Sequence, residues 1–107
     1  MATIKAVVVD PDGTARLAEI ENSLGGFQAV VGGYIEGVFG EEATVYVDEE
    51  GLLKHLPMNP LATLFAQRVL GAGVVLHGTV LILGPGDGEG NDTAVRQTVV
   101  DHFNLEA

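Results

Sequence analysis

Apolar and polar residues fall along this chain in short segments that can be read one by one. Ile4 to Val9 is rich in β-branched residues, which suit a pleated strand. Asp10-Pro11-Asp12-Gly13 then reads as a tight hairpin turn, with Pro presetting φ and Gly closing the loop. Thr14 to Ile20 reads as the returning antiparallel strand, with Ala15, Leu17 and Glu19 on one face and Arg16, Ala18 and Ile20 on the other. Asn22 or Ser23 is placed to cap a short helix, in which Leu24, Phe27 and Val31 recur at helical spacing. Gly25 and Gly26 weaken that helix by up to ~1 kcal/mol each relative to Ala, which close packing against a sheet would explain. Gly32-Gly33 ends it, with Gly33 expected at positive φ.

Tyr34 to Phe39 alternates again, Tyr34, Glu36 and Val38 against Ile35, Gly37 and Phe39, and predicts a strand. Gly40-Glu41-Glu42 turns the chain into a strand over Ala43 to Val47. Asp48-Glu49-Glu50-Gly51 is a second acidic turn, and Leu52-Leu53-Lys54 is a candidate return strand closed by Pro57. Asn59-Pro60 marks a helix start, Asn as cap and Pro at the first helical position, and Leu61, Leu64, Phe65 and Val69 carry the helix to about residue 70. Val74 to Leu83 predicts a strand whose run Val80-Leu81-Ile82-Leu83 fits either a central position covered on both faces or one covered on one face and near an oligomer contact. Residues 84–92 read as a flexible Gly-rich acidic loop. Asn91 or Asp92 would cap a last helix through about residue 103, with Val95, Val99 and Phe103 inward. The order β-β-α-β-β-α-β-α makes residues 1–107 a single α+β domain. It predicts a mostly antiparallel sheet of about five strands and two to three helices.

Composition narrows the function more than the fold. The apolar fraction of 47% belongs to a folded chain. The absence of cysteine excludes disulfides and thiolate metal sites. No segment approaches the roughly 18 apolar residues of a membrane span, and the N-terminal residues lack the basic start of a signal peptide. The expected setting is the cytoplasm, with no membrane association. Five Lys and Arg against fifteen Asp and Glu give a net charge of −10. Phosphate binding needs cations, and Lys5, Arg16, Lys54, Arg68 and Arg96 are scattered singly, so no nucleic acid partner is expected. Three readings of the charge stand: solubility, adaptation to a salty cytoplasm, or an acidic face that docks a basic partner.

No segment carries a complete catalytic motif. Asp10-Pro11-Asp12-Gly13 begins like a calcium loop but lacks the later ligands and the closing Glu, so the hairpin turn explains it. The Gly84–Asp92 stretch has no Lys and three acids, which would repel phosphate. His55, His77 and His102 share no metal-pair spacing, and Ser23, the single serine, serves as a cap. Tyr34 and Tyr46 sit in predicted strands without neighbouring cations. No metal and no cofactor is expected, and catalysis is not indicated.

The run Leu24-Gly-Gly-Phe-Gln28-Ala-Val-Val31-Gly32-Gly33-Tyr34-Ile35-Glu36 resembles the signature of a domain-of-unknown-function family found in small proteins of phages, plasmids and bacteria. The acidic turn with its Gly and leucines, the Asn59-Pro60 helix start and the Gly78-Thr79-Val80-Leu81-Ile82-Leu83-Gly84 strand are similar to that family in the same order. The resemblance implies a mobile-element setting in a bacterial cytoplasm and a small accessory role; it carries no established activity. Two candidate sites follow. Glu41, Glu42, Asp48, Glu49 and Glu50 would gather into an acidic surface for a protein partner, a basic one by charge complementarity. Alternatively Gln28, Gly33, Tyr34, Glu36 and Asn59 would line a small-molecule or nucleotide site at the Gly-Gly-Tyr-Ile-Glu corner, that of a binding protein or of an enzyme. A monomer or small homo-oligomer is expected.

Overall fold

The computed structural model describes residues 2–105. Strand β1 (Thr3–Val9) and β2 (Ala15–Glu21) form the expected hairpin. Its turn closes through Asp10, whose N–H donates to Thr14 O at 2.8 Å, and Asp12, whose carboxylate accepts from Thr14 N–H at 2.8 Å. Helix α1 (Leu24–Val31) is capped by Ser23, whose hydroxyl accepts from Gly26 N–H at 3.0 Å. Strands β3 (Ile35–Phe39) and β4 (Thr44–Asp48) form a second antiparallel hairpin. Helix α2 (Pro60–Val69), strand β5 (Val80–Leu83) and helix α3 (Gln97–His102) complete the order read from the sequence.

The fold is α+β, with one antiparallel five-stranded sheet in the order β2-β1-β5-β4-β3. Strand β5 enters last yet takes the middle, between β1 and β4, and all four of its residues are buried. That is why it reads as an unbroken apolar run. The alternation of each strand serves two cores. Val7, Val9, Val45, Val47, Val80 and Ile82 face α2 and α3, around Phe65 and Val99. Ala6, Val8, Leu81 and Leu83 face the opposite way, against Phe27 and Val31 of α1. Each fully buried Val, Leu or Phe contributes roughly 1.5–3 kcal/mol relative to exposure.

Three segments differ from their sequence reading. Leu52-Leu53-Lys54 forms no strand: Lys54 N–H donates to Glu50 O at 2.9 Å and Leu56 N–H to Gly51 O at 2.9 Å, a coil of turns. Residues 74–79 stay outside the sheet because their partners are 57–59, through Asn59 N–H to Leu76 O and Gly78 N–H to Pro57 O, both at 2.8 Å. The last helix starts at Gln97 without a side-chain cap, because the Asp92 carboxylate accepts from Tyr46 Oη–H at 2.8 Å instead. Burial, then that hydrogen bond, pushes the Tyr46 phenol well above its ordinary value. Val95, Val99 and Phe103 still pack on the core, Phe103 with its ring 5.3 Å from that of Phe65. Among the described residues no helix is long and apolar enough to cross a membrane.

Candidate functional site

The corner between α1 and β3 is built on one buried acid. Gly32 ends α1 at φ 94°, where a side chain would be strained, and its N–H donates to Gln28 O at 2.7 Å. Gly33, expected at positive φ, is not the left-handed residue; close approach requires it. A Cβ there would lie 2.6 Å from Lys54 Nζ and 2.7 Å from Asp48 Oδ2. Asp48 is the last residue of β4, pairs with Ile35, and turns its carboxylate under Gly33. Oδ2 accepts from Lys54 Nζ at 2.7 Å, and Oδ1 accepts from Glu50 N–H at 2.8 Å. The Asp48 side chain is 2% exposed against 40% for Lys54, so the lysine reaches in from the surface to the acid. The Lys54 hydrogen bond holds the Asp48 carboxyl below its usual range, and Asp48 in return raises the Lys54 ammonium.

On the α2 side of the same hairpin end is a cavity of about 150 Å³. Val38 and Val47 form apolar walls, with Leu52 and Val75 at its mouth, 72% and 56% exposed. The exposed acids Glu36 and Glu49 line it, as do His77 and Asp48, whose carboxylate is taken by Lys54 and the Glu50 N–H. His77 Nδ1 lies 3.2 Å from Leu56 O, an atom that only accepts, so Nδ1 carries the proton. No Lys or Arg is among the residues lining the cavity. Two broader depressions, of about 500 and 480 Å³, lie open to solvent beside Phe39 and Arg96 and beside Asp10 and Pro57.

The chain matches the family model of a domain of unknown function (DUF3846) over residues 4–104. It belongs to that family. The comparisons with curated proteins and with solved structures gave no match.

In this DUF3846 chain the expected corner site divides between the layers. Tyr34 and Glu36 lie at the cavity end of the hairpin, Tyr34 joined to the turn by Glu49 N–H donating to its carbonyl at 2.9 Å. Gln28 belongs to α1 on the opposite face of the sheet, and Gly33 lies over Asp48. Asn59 is fully buried and has no group left for a ligand. Its Oδ1 caps α2 by accepting from Ala62 N–H at 3.1 Å, and its Nδ2 donates to Val9 O at 2.9 Å and Gly78 O at 3.0 Å.

The five acids of the expected surface do not form one patch. Asp48 is inside, because strand parity turns it toward the α1 core. Glu41 and Glu42 lie beyond one end of β4 and Glu49 and Glu50 beyond the other, and the strand between them is about 14–17 Å long at ~3.4 Å per residue. Glu42 is instead 3.7 Å from Arg96. The sequence reading assigned none of the cavity residues Leu52, Val75 and His77 to a site. Leu52 and Leu53 stand exposed beside an acidic turn, a signal that was there to use.

Proposed function

We propose that this protein is a non-enzymatic binding module that docks a basic protein segment at the cavity between β3, the Asp48–Gly51 turn and residues 74–77. The observation that carries this reading is the composition of the cavity: aliphatic walls, two carboxylates, and no lining Lys or Arg. A lysine or arginine side chain fits those surroundings, with an apolar stem along Val38, Leu52 and Val75 and a charged head at Glu36 and Glu49. The nearest basic group of the turn, Lys54, is already bound to Asp48. The net charge of −10 favours approach of a cationic partner from a distance. A nucleotide-sized ligand is less well served, since such pockets run to about 300–1,000 Å³ against about 150 Å³ here. The setting we propose, an accessory protein of a phage or other mobile element in a bacterial cytoplasm, rests on the likeness of the Leu24–Glu36 motif alone.

The test is a titration with Nα-acetyl-lysine methylamide and its uncharged norleucine counterpart, followed by amide shifts of Glu36, Glu49, Leu52 and Val75. The lysine form is expected to shift these residues with an affinity on the order of millimolar, as suits so small a ligand. The double variant Glu36→Gln with Glu49→Gln should remove the preference for lysine and leave the urea midpoint in place. An equal response to both compounds would overturn the reading.

A further inference from the structure

The two edges of the sheet are not alike. Strand β2 carries Arg16, Glu19 and Glu21, charges of the kind that keep a sheet edge from pairing. Strand β3 runs Ile35-Glu36-Gly37-Val38-Phe39, with one charge, no Pro and no Lys. The hydrogen bonds at both ends of the hairpin fix which groups of β3 are free. Gly40 N–H donates to Ala43 O and Tyr34 O accepts from Glu49 N–H, so the even-numbered residues point their backbone groups at β4. The N–H and C=O groups of Ile35, Gly37 and Phe39 therefore point outward. No other described segment bonds to them. Phe39 is 70% exposed at the end of this edge.

This edge borders the cavity, since Glu36 and Val38 belong to both. Side chains alternate along an added strand, so every second residue of such a strand would lie on the cavity side, beside Glu36. We propose that β3 receives a strand from the basic partner, which extends the sheet to six strands and seats a lysine or arginine in the cavity; this rests on the cavity reading above. The main-chain ladder supplies affinity and the cavity supplies the choice of side chain. Charge selects a foreign strand over a second copy of this chain. Pairing of β3 with its own copy would bring two Glu36 carboxylates and two protomers of charge −10 together.

The experiment uses the acetylated, amidated peptide Thr-Val-Lys-Val-Thr-Val and two N-methylated forms of it. One form is methylated on alternate amides along one edge, the other on the remaining amides. Strand addition uses only one edge of the peptide. One form should lose roughly tenfold or more in affinity, while the other binds like the parent. The amide protons of Ile35, Gly37 and Phe39 should gain exchange protection when the parent binds. Phe39→Pro should weaken binding more than Phe39→Ala, because only the proline removes an outward donor. If all three peptides bind alike, or if the lysine amide binds and the parent peptide does not, the strand is overturned and the cavity reading stands. If neither the lysine amide nor the peptide binds, both fall. A dimer of the protein alone, with those same amides protected, would assign the edge to a second copy and overturn the proposal.

Discussion

The two acidic turns at the ends of β4 are alike in sequence and opposite in role. Gly40-Glu41-Glu42 holds its charge in solvent, where Glu42 and Arg96 are each about half exposed at 3.7 Å. Such a pair contributes little, because water screens it and both side chains lose freedom. At the other end, Asp48 precedes Glu49 and Glu50 and is still a ladder residue, paired with Ile35. Its side chain therefore points into the protein, where it fastens Lys54 and the turn backbone. The difference lies in strand parity. An acid one residue inside the ladder becomes a structural node, while acids one residue outside it become a rim.

That comparison can be broken in graded steps. Asp48→Ala should have the largest effect, about 2–3 kcal/mol in a urea melt, because it leaves the Glu50 N–H and the Lys54 ammonium without their partner. Asp48→Asn should lose less, since its carbonyl oxygen can still accept from Glu50. Gly33→Val should cost about 1–3 kcal/mol by pushing a side chain into the ion pair. Its effect should be less than additive with Asp48→Ala, because the second change removes the group it collides with. Equal midpoints for Gly33→Val and wild type would show that the corner yields freely.

Acid should act on the same node more gently. Asp48 has a folded pKa below its unfolded value near 3.9, so its contribution is complete above about pH 4 and disappears as pH falls through the folded value. Asp12 and Asp87 are lowered too, by hydrogen bonds from Thr14 and from Asn91, so Asp48→Asn should flatten the acid limb without abolishing it. At the alkaline end the signs reverse. Lys54 and Tyr46 both have raised folded values, so their stabilisation is whole below about pH 10 and lost as pH rises further. Urea midpoints measured from pH 2 to 11 check both limbs. Lys54→Met should cost less than Asp48→Ala at neutral pH. The smallest effects belong to Glu42→Gln and Glu89→Ala, each within ~0.5 kcal/mol, and a larger loss from Glu42→Gln would erase the contrast between the turns.

Local signals were the ones legible in the sequence. Asn59-Pro60 announces α2 because cap and first turn lie within four residues, and Val80 to Leu83 announces the central strand because burial on both faces leaves no polar position. The start of α3 was illegible because the competing partner of Asp92 is Tyr46, 46 residues away. At the candidate site the acids were plain from composition, but the burial of Asp48 depends on the register of β4 and on a lysine brought back by the turns of 50–56. His77 and Val75 reach the cavity from a segment without regular periodicity, held by backbone bonds to 57–59.

Asn59 ties together backbone that is far apart along the chain. Its amide meets the end of β1 across 50 residues and the approach to β5 across 19. The cap bond to Ala62 is local, but the two bonds of the amide nitrogen form only after β1 and the 76–78 segment have come together. Loop closure of that length comes before its reward, so those two bonds are expected to form late in folding. In a chevron analysis Asn59→Ala should speed unfolding and leave the folding limb nearly unchanged, the signature of an interaction formed on the native side of the barrier.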